Sequence, residues 1–279
     1  MLAPLLLRGA ILSPFKRPHP DAPLPDSQPT LTDVRPSATH LAAYSRLCGY
    51  RTPEHTLPLT YPHILGFPLA MRLMTTRAFP LPLLGLVHTS IEITQHRALT
   101  TADNLELSVH ASHLTPHRRG TEATLVTDAR VDGTTVWTSS STYLARHRTN
   151  APGAPATPRE STPLPARAEW RLPPDLGRRY GAVSGDRNPI HLYPLTARLL
   201  GFPRAIAHGM WTAARCLAQY TRHETPEAAH VHVDFKAPVL LPATVTYAAA
   251  DHAFELRGDT AATKTHLSGT FHQRPRTKD

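Results

Sequence analysis

The chain has 279 residues, 41% of them hydrophobic, and a formal net charge of +9. That composition excludes a disordered polymer and supports a sizeable core, as one large domain or two smaller ones. Only two cysteines are present, Cys48 and Cys216, which excludes a disulfide framework or a cysteine zinc site and points to a reducing cytoplasm. The positive charge suits an anionic partner: nucleic acid, acidic lipid or a phosphate-bearing cofactor. The arginines are dispersed, however, and no basic run is interleaved with aromatics, so nucleic acid is not expected.

The first segment, MLAPLLLRGAIL, is apolar but interrupted by Arg8, with no basic stretch ahead of it and no small-residue cleavage site, and it reads as folded protein. No segment approaches the roughly 18 uninterrupted apolar residues of a membrane span, so no membrane insertion is expected. A polar segment, AYSRLCGYRTPEH, then precedes an apolar helix expected around FPLAMRLM. LVHTSIEI, NLELSVHAS, EATLVTDARV and TTVWTSSSTYLA follow as strands, the last two joined by a hairpin turn at Asp132-Gly133.

Between Thr149 and Pro174 the chain is dense in proline and has linker composition. The expected organisation is an N-terminal domain over 1–148, a linker over 149–168 and a C-terminal domain over 169–279. Past the linker, ARAEWRL reads as a strand, followed by a polar turn or short helix. Met210, Ala213, Ala214, Leu217 and Ala218 then form one apolar stripe on a helix ending near Tyr220. HVHVDFKAP, ATVTYAAA, HAFELRG and TKTHLSGTFH are further strands.

The two parts repeat one order of elements. An offset of 136 aligns Tyr44 with Tyr180, Gly49 with Gly185, Pro53 with Pro189 and His55 with His191, while Tyr50 falls opposite Asp186. The strands align at an offset of 140, Asn104 against Thr244, which sets Leu69 opposite Gly209. On that register the first copy is about four residues shorter and its helix starts near Pro68.

Chemistry concentrates in YGAVSGDRNPIHLYP, Tyr180 to Pro194. Asp186 and His191 stand five residues apart where Gly185, Asn188 and Pro189 prevent a regular helix from carrying them. Such a turn suits a two-residue acid/base pair gripping one water. The Gly209 amide, at the start of the apolar helix, belongs to the unpaired donors of a helix N-terminus.

The run YGAVSGDRNPIHLYPLTARLLGFPRAIAHGM resembles the hydratase motif of MaoC-type (R)-specific enoyl-CoA hydratases, with Ser-Gly-Asp, Asn-Pro, His and His-Gly-Met in order. VDFKAPVLLPATVTY is similar to the same family's following strands, and the whole chain resembles the bacterial double hot dog 3-hydroxyacyl-thioester dehydratases. The resemblance implies an α+β double hot dog: two units, each a long helix wrapped by an antiparallel sheet, with only the second catalytic. It implies reversible hydration of trans-2-enoyl thioesters to (3R)-3-hydroxyacyl thioesters by Asp186 and His191. Gly209, His208, Ser184 and Asn188 would lie on the substrate side.

No cofactor or metal is expected beyond the coenzyme A or acyl carrier protein of the substrate, and the assembly would be a monomeric pseudo-dimer or a homodimer. The first copy would cradle the acyl chain, with Leu69, Met71, Leu73 and Met74 as tunnel lining, and Arg204 and Lys236 would meet phosphates. Two positions depart from the simplest family pattern: Tyr193 replaces an aspartate, and Leu217 stands where some relatives have a serine. Three alternatives remain open: a metal held by Asp186, His191 and His208, a non-catalytic acyl-thioester binding module, and a hot dog thioesterase.

Overall fold

Ten strands build one antiparallel sheet in a computed structural model that describes residues 3–51, 55–149, 163–221, 226–258 and 264–273. The first half holds β1 (Thr30–Val34), β2 (Val87–Gln95), β3 (Leu105–His117), β4 (Gly120–Val131) and β5 (Thr134–Arg146). The second holds β6 (Ala166–Leu172), β7 (Ala229–Phe235), β8 (Ala243–Ala250), β9 (Ala253–Gly258) and β10 (Thr265–Gln273). The spatial order is β1-β3-β4-β5-β2-β7-β10-β9-β8-β6, so the two halves read outward from the centre as the same arrangement.

They join at β2 and β7, where Ser90 to Gln95 run antiparallel to Asp234 to Ala229. Alternation places Ile91, Ile93, Val231 and Val233 in the core at this seam. The hairpin at Asp132-Gly133 forms with positive φ at both residues, 49° and 77°, as an Asp-Gly turn of the primed type requires.

Each half curls around one main helix, α3 (Tyr61–Met74) or α7 (Gly209–Tyr220), the first packed on β3 and β4 and the second on β9. This is the expected α+β double hot dog. Preceding these are α1 (Ala3–Leu12), α2 (Ala38–Cys48), α4 (Leu176–Ser184), α5 (Pro189–Leu192) and α6 (Pro194–Leu199). Among the described residues no helix is long and apolar enough to cross a membrane.

Three expectations change. The polar segment before the first apolar helix opens, from Ala43 to Cys48, as the last part of α2, whose Ser37 cap accepts a hydrogen bond from the His40 amide and whose Leu41, Tyr44 and Cys48 face inward. Second, α3 begins at Tyr61, not near Pro68: Pro62 fits the first turn, and Pro68 lies inside the helix. Its missing backbone bond is offset by burial of Leu69, Ala70, Met71, Leu73 and Met74 along the same helix. Third, Leu69 is not the counterpart of Gly209. His55 stands six positions before α3, whereas His191, itself in α5, stands eighteen before α7, with α6 between. The first copy lacks that insertion and has a longer loop from helix to strand, which misleads any register counted back from the strands.

The offset of 136 nevertheless describes the turns: α2 ends at Gly49 with φ 78° and α4 ends at Gly185 with φ 79°, the left-handed cap that glycine adopts most readily. Pro53 and most of the expected linker, 150–162, lie outside the described residues. The strand β6 starts at Ala166, ahead of the linker end expected at 168. Across the pseudo-twofold, the rings of Tyr44 and Tyr180 lie 6.4 Å apart, Trp211 Nε1 donates to the Leu47 carbonyl at 3.1 Å, and His40 Nε2 donates to the Val183 carbonyl at 2.8 Å.

Candidate active site

The turn after α4 folds back onto the helix because two of its residues lack side chains. A Cβ on Gly177 would lie 2.0 Å from the His191 carbonyl oxygen, and one on Gly181 would lie 2.7 Å from that of Asp186. At the corresponding positions α2 has Leu41 and Ser45, so the first copy cannot lay its turn against its helix in the same way.

The turn is tied internally. Ser184 donates its hydroxyl to the Tyr180 carbonyl at 2.9 Å and accepts the Asp186 amide at 3.2 Å. The Asn188 amide donates to Asp186 Oδ1 at 3.1 Å, and Asn188 Oδ1 accepts the Ile190 amide as the cap of α5. His191 rides on that single helical turn, so a short helix does carry it where none was expected.

His191 and His208 stack with centroids 3.6 Å apart. His191 Nδ1 donates to the Ile206 carbonyl at 2.8 Å, which leaves Nε2 as a free lone pair. His208 Nε2 donates to the Asp186 carbonyl at 2.9 Å. Burial lowers the pKa of both rings, and Asp186 opposes that at His191, while the neighbouring ring adds to it at His208. His208 Nε2 also lies 3.8 Å from Asp186 Oδ2. With the ring held neutral and the backbone bond much shorter, that approach is not an ion pair. His208 thus positions the carboxylate through its backbone.

A metal is ill suited to this trio, although one ligand atom from each of Asp186, His191 and His208 falls within 4.8 Å of the others. Rings stacked 24° from parallel send their in-plane lone pairs side by side instead of to one point, and one nitrogen of each ring is already bonded to a carbonyl.

Gly209 opens α7, so its amide has no acceptor within the helix. A Cβ there would press on the Phe235 ring at 3.1 Å. One turn on, Thr212 donates its hydroxyl to the Gly209 carbonyl at 2.6 Å. Thr212 is the helix hydroxyl beside the cavity, while Leu217 is core.

Asp186, Asn188, His191, His208 and Gly209 all line one cavity of about 470 Å³ between the two halves, within the usual range for ligand pockets. From the first half come Phe67, Met71, Met74, Leu83 and Leu86. Of the four residues expected as tunnel lining, Met71 and Met74 are there, but Leu69 and Leu73 point into the core. Lys236 borders the cavity and Arg204 does not; Tyr193 is on the surface, under the Arg178 guanidinium at 5.1 Å.

Residues 149–268 match the family model described as a MaoC like domain. The chain is 41% identical, over 223 residues covering 79% of each chain, to 3-hydroxyacyl-thioester dehydratase X of Mycobacterium tuberculosis. This chain belongs to the MaoC-like dehydratase family. The crystal structure of HtdX of M. tuberculosis superposes with a TM-score of 0.78 at 36% identity, covering 89% of this chain and 100% of that one. A MaoC-like dehydratase from Phytophthora capsici, at 16% identity and TM-score 0.68, covers 93% of this chain and 98% of its own and shares the fold.

In this MaoC-like chain the second copy carries the constellation. The corresponding place in the first is filled: Tyr50 is buried against Tyr44, and a Cβ on Gly49 would meet the Arg215 guanidinium at 2.3 Å. His55 is exposed there, whereas His191 is buried. Sequence reasoning did not single out Gly177 and Gly181, or the cavity residues His63, His88 and Tyr143. The Gly-x-x-x-Gly spacing on a short helix was a visible signal for the first pair. The histidines carried none, because only the fold brings β2 and α3 to the site.

Proposed function

We propose that the protein interconverts trans-2-enoyl and (3R)-3-hydroxyacyl thioesters, as a hydro-lyase with Asp186 and His191 as its acid/base pair. The observation that carries this reading is the His191 tautomer: with Nδ1–H held by the Ile206 carbonyl, the ring presents an unprotonated Nε2 to the cavity beside the Asp186 carboxylate. In hydration, water gives a proton to His191 Nε2 as its oxygen bonds to C3, and Asp186 accepts the water's other hydrogen bond. The C2=C3 electrons move toward the thioester oxygen, where the Gly209 amide stabilises the enolate. A proton from the pair is then placed on C2, which restores both groups. Dehydration retraces the same path.

In this reading Ser184, Asn188 and His208 hold the turn through their hydrogen bonds to the loop, and all three also line the cavity, where His208 Nδ1 has no partner. The substrate is a thioester of coenzyme A or of a carrier protein, and no other cofactor takes part. One chain supplies both halves, a monomeric pseudo-dimer.

The test is a direct assay of crotonyl and longer enoyl thioesters on both carriers, following loss of the conjugated double bond and release of free thiol. Asp186→Asn and His191→Ala should each lower hydration at least about a hundredfold, the scale of one acid/base group. Thiol release without hydration would instead establish a thioesterase, and tight binding without turnover a binding module.

A further inference from the structure

The acyl side of the cavity is not uniformly apolar. His63, near the start of α3, and His88, on β2, line it together with Tyr143 on β5, and their rings stack: His63 to His88 at 6.1 Å and His88 to Tyr143 at 4.6 Å. His88 also tilts against Phe235 at 4.9 Å, the ring that packs on Gly209. This band therefore sits next to the thioester-oxygen position, and it is contributed by the non-catalytic half.

Two of its ring nitrogens lack partners. His63 Nδ1 and His88 Nε2 are buried and unbonded, and no hydrogen bond to either nitrogen of His63 is found among the described residues. A buried polar group without a partner is destabilising, so such groups are ordinarily paired. Burial keeps both rings neutral at ordinary pH, so His63 offers one N–H and one lone pair, while His88, which is also hydrogen-bonded to the Ser90 backbone, offers Nε2 alone. Two unpaired imidazole nitrogens among Phe67, Met71, Met74, Leu83 and Leu86 are a poor match to a plain alkyl chain, which would seal them off from water.

Resting on the proposed thioester chemistry, we infer that the preferred substrate carries an additional oxygen function, a hydroxyl or ketone, on its acyl chain beyond the reacting carbons, and that His63 and His88 receive it. A hydroxyl satisfies one donor and one acceptor together. A ketone satisfies whichever tautomer presents N–H. The site would reject unsubstituted chains for the same reason that sites built to hydrogen-bond a hydroxyl reject analogues lacking one.

The experiment measures kcat/KM for trans-2-decenoyl-CoA and for a series bearing a single hydroxyl or ketone at successive carbons beyond C4. For at least one position the wild-type protein should prefer the oxygenated chain by roughly tenfold or more, a modest hydrogen-bond discrimination. In His63→Leu and His88→Leu that preference should disappear while turnover of the unsubstituted chain rises, because the acyl side of the cavity loses an unpaired nitrogen. A flat response across the series in the wild-type protein overturns the inference even if both variants fail to fold. So does a preference that survives in folded variants. Absence of hydration with every substrate, plain or oxygenated, would instead remove the reading of Asp186 and His191, so the two failures are distinguishable.

Discussion

At the residue scale, the site depends on keeping imidazoles neutral. Burial pushes His63 down from 6.5 to about 4 and His88 to about 3, and lowers His191 and His208 as well. Because the unfolded chain binds protons at these positions near pH 6.5 and the folded chain does not, their contribution to stability is present above pH 6.5. It is lost as pH falls from there toward the lower folded values. The melting temperature should therefore drop on acidification from about pH 7 to about pH 4, and His63→Leu should flatten that slope; an unchanged slope would argue against a buried neutral ring. The same lowering keeps His191 unprotonated through pH 6.5, so the acid limb of kcat/KM should lie below that value. Metal makes no contribution in this account. Treatment with a strong chelator should leave full hydratase activity, and activity lost on chelation and restored by a stoichiometric metal would revive the metal reading of the trio.

At the element scale, the decisive contact is between α4 and the turn it precedes. Gly177→Ala places a methyl where the His191 carbonyl lies and should push α5 away from His208. A displacement of about 1 Å at a catalytic group can cost on the order of a hundredfold in rate. The expected result is that loss in kcat with α4 still formed, read by activity and circular dichroism together. Full activity in a folded Gly177→Ala protein would mean that this contact does not set the histidine. The motif around Asp186 was legible because its signals are local: a left-handed glycine, an Asn-Pro turn and an imidazole at fixed spacing. The helical nature of α2 was not, because Tyr44, Ser45 and Cys48 are polar or small by composition and become a buried face only against α4 and α7. The register of α3 was also hidden. A loop longer by a few residues after the helix has little energetic consequence, so counting from the strands had no means of detecting it.

On the scale of the whole molecule, chain-length selection should be controlled by the non-catalytic half. Met71→Trp or Met74→Trp fills the cavity and should move preference toward short acyl chains. Leu73→Trp, from a residue 1% exposed in the core, should instead destabilise by about 1–3 kcal/mol through overpacking, without a selective effect on long chains. Unaltered acyl selectivity in folded Met71 and Met74 variants would reduce the first half to a structural partner. The C-terminal part alone, from about Arg167, would leave β7 without β2 and expose the Val231 and Val233 seam. It should be insoluble or pair with itself; a soluble monomer that retains long-chain preference by gel filtration and assay would contradict this.

By itself the sequence determined what depends on neighbours along the chain. Strand alternation, the Asp-Gly hairpin, the repeat of turns and the Asp186–His191 spacing are all set by local backbone preference and by which side chains avoid water. Only the tertiary structure decided which atoms face each other. It assigned the free nitrogen of His191 through a carbonyl fifteen residues away, sent Leu73 inward and Met74 to the cavity, and brought His63 and His88 to a site whose motif lies more than ninety residues later. Those outcomes follow from packing between elements that are not neighbours along the chain, and contacts of that kind leave no periodic trace in the order of residues.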